Sequence, residues 1–309
     1  MRVAGRSAKG AVAETLSHAR DILVIPCWRR PEFLWHCLDN LRRAEGIGDL
    51  HVLFRPDRGH DPRIHDVIDE FGPQLGSYEI DLPAPCPYRR GRQSANLLAG
   101  YLQAAARTRR YVFMVEEDVM VARDFLRWHY AVQAAQPQSF CSIATRNTNR
   151  AIPHTADPEA YYVTTLDYCS LGVCFERSVI MRRIAPHVRR EYFEDPAAYC
   201  QRNFTGSQVG GGHVEQDALI RRIQEQVGAR RPIVFPFRPR AFHAGYYAYR
   251  RGSSSNGALS QRVREVGEII YNIEAMRNVD PRPEFSADSV PVSLETPPWK
   301  SVRCTARWG

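Results

Sequence analysis

Apolar and polar positions alternate in blocks through the first half of the chain. Asp21-Ile22-Leu23-Val24-Ile25-Pro26 is a short apolar run stopped by proline, the pattern of a strand buried on both faces. Phe33 to Arg43 carries Phe33, Leu34, Cys37, Leu38 and Leu41 at helical spacing. Leu50 to Phe54 is a second strand, and Arg63 to Phe71 a helix with Ile64, Val67, Ile68 and Phe71 on one face. Tyr78 to Leu82 reads as a third strand, Ser94 to Ala106 as a helix, Tyr111 to Val115 as a wholly apolar strand and Asp124 to Ala135 as a helix. This order predicts an α/β fold of Rossmann-like type, a mostly parallel sheet with helices on both faces.

The second half is less regular. Ser139 to Ala144 and Leu171 to Phe175 read as strands, Ser178 to Ile184 and Val214 to Gln226 as helices, and Pro232 to Pro239 holds a strand. Gln208 to Gly212 is a Gly-rich hinge, and Arg251 to Gly257 a Ser/Gly-rich loop. Ala258 to Arg277 has an amphipathic stripe, and a Pro-rich tail follows. With no repeat and no sharp break in composition, the expectation is one large domain over 21–257, with halves 21–125 and 126–257. A tail over 1–20 precedes it, and a helix with an extended tail over 258–309 follows.

Composition narrows the class. Of 309 residues, 44% are hydrophobic and 25% charged, which excludes a disordered or collagenous chain. No apolar stretch is long enough to span a bilayer, and Met1 to Arg20 lacks the apolar core of a secretory signal, so a cytoplasmic protein is expected. The eight cysteines include no C-x-x-C pair, and Cys27, Cys141, Cys169 and Cys174, in or beside apolar runs, read as reduced core residues. The net charge of +8 comes almost entirely from arginine and favours a polyanionic partner, although a GC-rich genome gives the same bias.

In an open parallel sheet, ligands bind at the carboxyl ends of the strands. Cys27-Trp28-Arg29-Arg30 follows the first strand, Arg55-Pro56-Asp57-Arg58-Gly59 the second and Glu116-Glu117-Asp118 the fourth. Arginine grips phosphate, and carboxylates hold a divalent cation that can itself hold a diphosphate. Together they point to a nucleotide-diphosphate site. Three acids between apolar triplets need a cation or hydrogen-bond donors to offset their burial.

These segments resemble, in order and spacing over about residues 21–250, a GT-A fold glycosyltransferase, most similar to the N-acetylglucosaminyltransferase I-like group. The likeness rests on Val24-Ile25-Pro26-Cys27-Trp28-Arg29-Arg30, on Leu53 to His60 leading to Val67-Ile68-Asp69-Glu70-Phe71-Gly72, and on Glu116-Glu117-Asp118-Val119-Met120-Val121-Ala122-Arg123-Asp124-Phe125. The resemblance implies a UDP-sugar donor, with Asp57 on the uracil edge, Glu116 on the sugar, Glu117 on the ribose and Asp118 on Mn2+ or Mg2+. The middle acid departs from the family's usual Asp. Pro26, Cys27, Arg29, Arg30, Arg90, Arg92 and Gly172 are further donor-site candidates.

An inverting transfer needs a base on the acceptor side. The matching family carboxylate falls on Asp217, in Gly210-Gly211-Gly212-His213-Val214-Glu215-Gln216-Asp217, with Glu215 as the alternative. His243 is a second candidate metal ligand, by analogy with the wider fold. Arg250, Arg251, Ser253 and Ser254 lie on a candidate lid. The charge slightly favours a polyanionic acceptor, for which phage DNA carrying hydroxymethylated pyrimidines, 5-hydroxymethylcytosine among them, is the candidate. A glycan acceptor is the alternative. A non-catalytic nucleic-acid-binding protein would need neither the acidic triplet nor Asp217. A nucleotidyltransferase would carry a Gly-rich, Lys-containing loop where Pro26 to Arg30 stands.

Overall fold

Continuous apolar runs become strands because both of their faces can be covered. The computed structural model describes residues 20–83, 86, 91–145, 160–165, 168–204, 215–227, 230–237 and 239–243. Its first half follows the predicted order with one strand, β5, added: β1 (Ile22–Cys27), α1 (Pro31–Leu41), β2 (His51–Pro56), α2 (Arg63–Phe71), β3 (Ser77–Ile80), α3 (Arg92–Arg107), β4 (Tyr111–Met114), β5 (Val119–Val121) and α4 (Phe125–Ala135). There follow β6 (Cys141–Ile143), β7 (Tyr161–Thr164), β8 (Val173–Glu176), α5 (Arg177–Val179), α6 (Arg190–Glu194), α7 (Pro196–Asn203), α8 (Gln216–Val227), β9 (Ile233–Pro236) and β10 (Ala241–His243).

Eight strands form one sheet in the order β3-β2-β1-β4-β8-β6-β9-β7. The pairings make β1, β2, β3, β4, β6 and β9 run one way and β7 and β8 the other, so the expected mostly parallel α/β sheet is what the chain adopts. Side chains alternate across it: Leu23 and Ile25 join the core under α1, α2 and α4, while Ile22 and Val24 join the core under α3 and α8.

Several boundaries differ from the sequence reading. The third strand stops at Ile80, and the next carboxylate, Asp81, turns to pair with the buried Arg55. Ser178 to Ile184 is not one α-helix. The single turn of α5 widens into a π turn over Ile180–Ile184, and Pro186, which lacks an N–H, sits in the tight turn that follows. The 208–212 hinge, the 250–257 loop and the 258–277 helix lie outside the described residues.

A second, two-stranded sheet pairs β5 antiparallel with β10, placing Val119 opposite His243. Its anchor is Asp124, whose Oδ2 accepts from Arg240 Nε at 2.9 Å, with side chains 3% and 1% exposed. Breaking a buried pair leaves the other charge stranded, so Asp124→Ala should cost about 3–5 kcal/mol. The check is chemical denaturation, and an unchanged midpoint would show that the pair does not hold β10.

Candidate active site

Parallel pairing brings the carboxyl ends of β1, β2 and β4 to one rim, and the antiparallel β8 starts at that same rim. Four segments therefore meet there: Trp28-Arg29-Arg30, the Asp57–His60 turn, Glu116-Glu117-Asp118 and Ser170-Leu171-Gly172. The first turn of α8 joins them through Asp217.

The acidic triplet is compensated from several sides. Glu117 is buried, and both its oxygens are engaged by the protein: Oε2 accepts from the Trp28 N–H at 2.6 Å and Oε1 from Arg30 Nε at 2.7 Å. It ties the turn after β1 to the triplet, where the resemblance implied a ribose contact. Asp118 is 2% exposed. Its Oδ2 accepts from Arg30 Nη1 at 2.5 Å and lies 3.0 Å from His243 Nε2. Its Oδ1 is buried with no hydrogen-bond partner. Burial acts to raise the Asp118 pKa, but the His243 hydrogen bond and the Arg30 charge outweigh it and hold the carboxyl below its usual value. Burial likewise acts to lower His243, and the Asp118 carboxylate overrides it to leave the imidazole pKa raised.

Glu116 differs from its neighbours. Burial and the nearby Asp118 charge push its pKa up to about 7, against the Ser170 hydroxyl, which donates to Oε1 at 2.6 Å. Asp217 also neighbours Ser170. Burial of its carboxyl pushes the pKa up to about 6, and hydrogen bonding from Ser170 opposes the shift. The α8 N-terminus that carries Asp217 is fixed by Ser94, whose Oγ accepts from the Gln216 N–H at 3.2 Å. Glu215, the alternative base, is exposed just ahead of α8, and Tyr192 donates to its backbone carbonyl at 2.6 Å. The described geometry thus gathers Glu116, Glu117, Asp118, Arg30, His243 and Asp217 at one place.

The other candidates divide. Cys27 is buried, and its Sγ donates to the Ile25 carbonyl at 3.3 Å, so only its backbone reaches the rim. Pro26 is half-buried within β1. Asp57 is half-buried at the rim, its Oδ1 accepting from the Arg58 N–H at 2.8 Å. Arg29 donates to the Gly59 carbonyl at 3.0 Å. Arg92 is exposed at the start of α3, whereas Arg90, Arg250, Arg251, Ser253 and Ser254 lie outside the described residues. Gly172 is buried and serves packing. Its φ is +64°, and a Cβ there would meet Ala241 Cβ at 2.9 Å and Phe125 Cε2 at 3.2 Å. Gly172→Ala should therefore destabilise the fold by about 1–3 kcal/mol through overpacking and strained backbone, read as a lower Tm.

Two rim residues were not singled out from sequence. Ser170 sits in a loop with no pattern of its own. Trp28 is 41% exposed with the Arg29 guanidinium 4.7 Å from its ring centroid, and a large aromatic directly after a strand end was the signal for it.

No protein-family model matches this chain, and no curated protein matches it. Among solved structures it is similar to S. aureus TarS 1–349 in complex with UDP-GlcNAc, at 11% identity over 84% of this chain and 67% of that one, TM-score 0.43. It is also similar to the mannosyltransferase PcManGT from Pyrobaculum calidifontis in complex with GDP-Man and Mn2+, at 14% identity over 88% of this chain and 69% of that one, TM-score 0.42.

Whether a divalent ion fits is decided by Asp118 and His243. A carboxylate with an unpartnered buried oxygen beside an imidazole is a donor set for Mn2+ and its neighbours. Among the described residues no group of three or more His, Cys, Asp or Glu is placed to hold a metal ion. Among the same residues no helix is long and apolar enough to cross a membrane.

Proposed function

We propose that this chain is a metal-dependent, inverting glycosyltransferase of the GT-A type, moving a sugar from a nucleotide-diphosphate sugar, UDP-linked, to an acceptor hydroxyl. The observation that carries this reading is the convergence of the Asp118–His243 pair, with its unpartnered oxygen, and Asp217 around Glu116 and Ser170.

Asp118 and His243 are the residues that would hold a divalent ion. Bound there, the ion supplies counter-charge to the departing diphosphate. Arg29 and Arg92 add positive charge at the phosphate side. Asp57 lies where a uracil edge is read, and Glu116 faces the transferred sugar. Asp217 takes the proton of the acceptor hydroxyl as the hydroxyl oxygen attacks the anomeric carbon. Its position at the start of α8 favours the anion needed for that step. The Ser170 hydroxyl donates to Glu116, and hydrogen bonding from the same residue favours the Asp217 anion.

The net charge of +8 and the exposed Arg182, Arg183, Arg189 and Arg190 support a polyanionic acceptor, with hydroxymethylpyrimidine DNA as the substrate to try first. A glycan acceptor is the second reading. Thermal unfolding with UDP should show a Tm rise that needs Mn2+; no rise with any nucleoside diphosphate rejects the donor site. A panel of labelled sugar nucleotides offered with hydroxymethylated DNA, plain DNA and glycans then identifies the acceptor. Label on glycans alone rejects DNA.

A further inference from the structure

We infer a second metal site, separate from Asp118 and His243, in which His60 and His65 hold one late first-row divalent ion, Cu2+ or Ni2+, through their Nε2 atoms. The two Nε2 atoms face each other at 2.8 Å, with ring centroids 4.8 Å apart and planes at 63°. Two lone pairs or two N–H groups cannot face at that distance, so one proton or one cation lies between them.

The wider geometry sets the tautomer that ligation needs. His60 Nδ1 lies 2.9 Å from the Asp57 carbonyl, which can only accept, so Nδ1 carries the hydrogen and the neutral ring presents a bare Nε2 outward. An N–H tied to a backbone carbonyl with the opposite nitrogen free is the usual second-shell arrangement of a metal-binding histidine. His60 is held in place by a tight turn: its N–H donates to the Asp57 carbonyl at 3.0 Å, and Gly59 supplies a φ of +73°. His65 comes from the first turn of α2, so the two ligands belong to different elements. Both are half-buried and open to an ion from solvent.

The separation also selects the ion. Metal–nitrogen bonds are about 2.0–2.1 Å, so donors 2.8 Å apart subtend about 85° at the ion, close to the right angle of square-planar or octahedral sites. Tetrahedral Zn2+ would want about 3.3 Å between donors at those bond lengths. Asp61, beside His60 in sequence, is engaged by Arg63, and water would complete the shell.

Bound metal would staple the turn carrying Asp57 to α2. This inference does not rest on the proposed transfer activity. The test is pulsed EPR on the full chain loaded with one equivalent of Cu2+. Wild type should show two coupled imidazoles, which the Asp118 site with its single histidine cannot supply. Asp118→Asn should keep that signal, whereas His60→Gln and His65→Gln should each lose it, weaken binding about tenfold or more and abolish the Cu2+-induced rise in Tm. A signal from one imidazole, or one unchanged in both histidine variants, overturns the site. Because the wild-type spectrum alone counts imidazoles, the test survives a variant that fails to fold.

Discussion

Asp118→Asn should lower transfer activity by about 10³-fold or more, since an ion that stabilises the leaving diphosphate contributes several kcal/mol to the transition state. The side chain keeps its shape and loses its charge. Its Oδ2 then no longer balances Arg30 and His243 together, and the unpartnered Oδ1 position no longer attracts a cation. Two measurements separate chemistry from folding. Metal-free thermal unfolding reports the lost ion pair, and the Mn2+-dependent increment in UDP binding reports the lost metal. An increment of wild-type size in the variant would remove Asp118 from the metal site. Arg30 cannot stand in for the ion, because its guanidinium already bridges Glu117 and Asp118.

Asp217→Asn should lower kcat by about 10²–10⁴-fold, the usual contribution of general base catalysis, and leave donor binding unchanged. The pH profile gives a second reading. Burial disfavours the anion, so the proton stays on up to about pH 6. A base must be deprotonated to act. Activity of the wild type should therefore rise with pH through about 6 and level off above it, and the residual activity of the variant should lack that limb. Wild-type activity in Asp217→Asn together with its loss in Glu215→Gln would move the base to Glu215.

The sheet was legible because its strands are unbroken apolar runs bounded by Pro, Asp or Gly. β1, β2 and β4 fall within one or two residues of the runs that predicted them. The acidic triplet was legible for a related reason: three carboxylates between apolar residues demand partners, wherever those lie. β5 and β10 were not read, because three residues are too few to show a period of two. β7, with Tyr161, Tyr162 and Val163, had the right composition and was passed over. So was the start of α7, marked by Asp195, whose side chain accepts from the Ala198 N–H at 2.9 Å ahead of Pro196. Partnerships over long separations left no trace at all. Nothing near Asp124 announces Arg240, and nothing near Glu116 announces Ser170. The residues were visible and their meetings were not, since only the paired sheet brings them together. His243 lies on β10, and its pairing with Val119 aims it at Asp118.

That pairing also orders events in time. Asp118 and His243 are 125 residues apart, joined across the small β5–β10 sheet and its Asp124–Arg240 anchor. Contacts between such distant positions close late, after local helices and strands have formed. On the ribosome, the four-strand block from β1 to β4 is complete long before β10 emerges. The nascent chain thus spends that interval with the Asp118 carboxylate lacking its histidine. Maturation of the site is tied to the emergence of β10, and mutations that weaken β10 should surface as low yields of folded protein before they surface as an altered site.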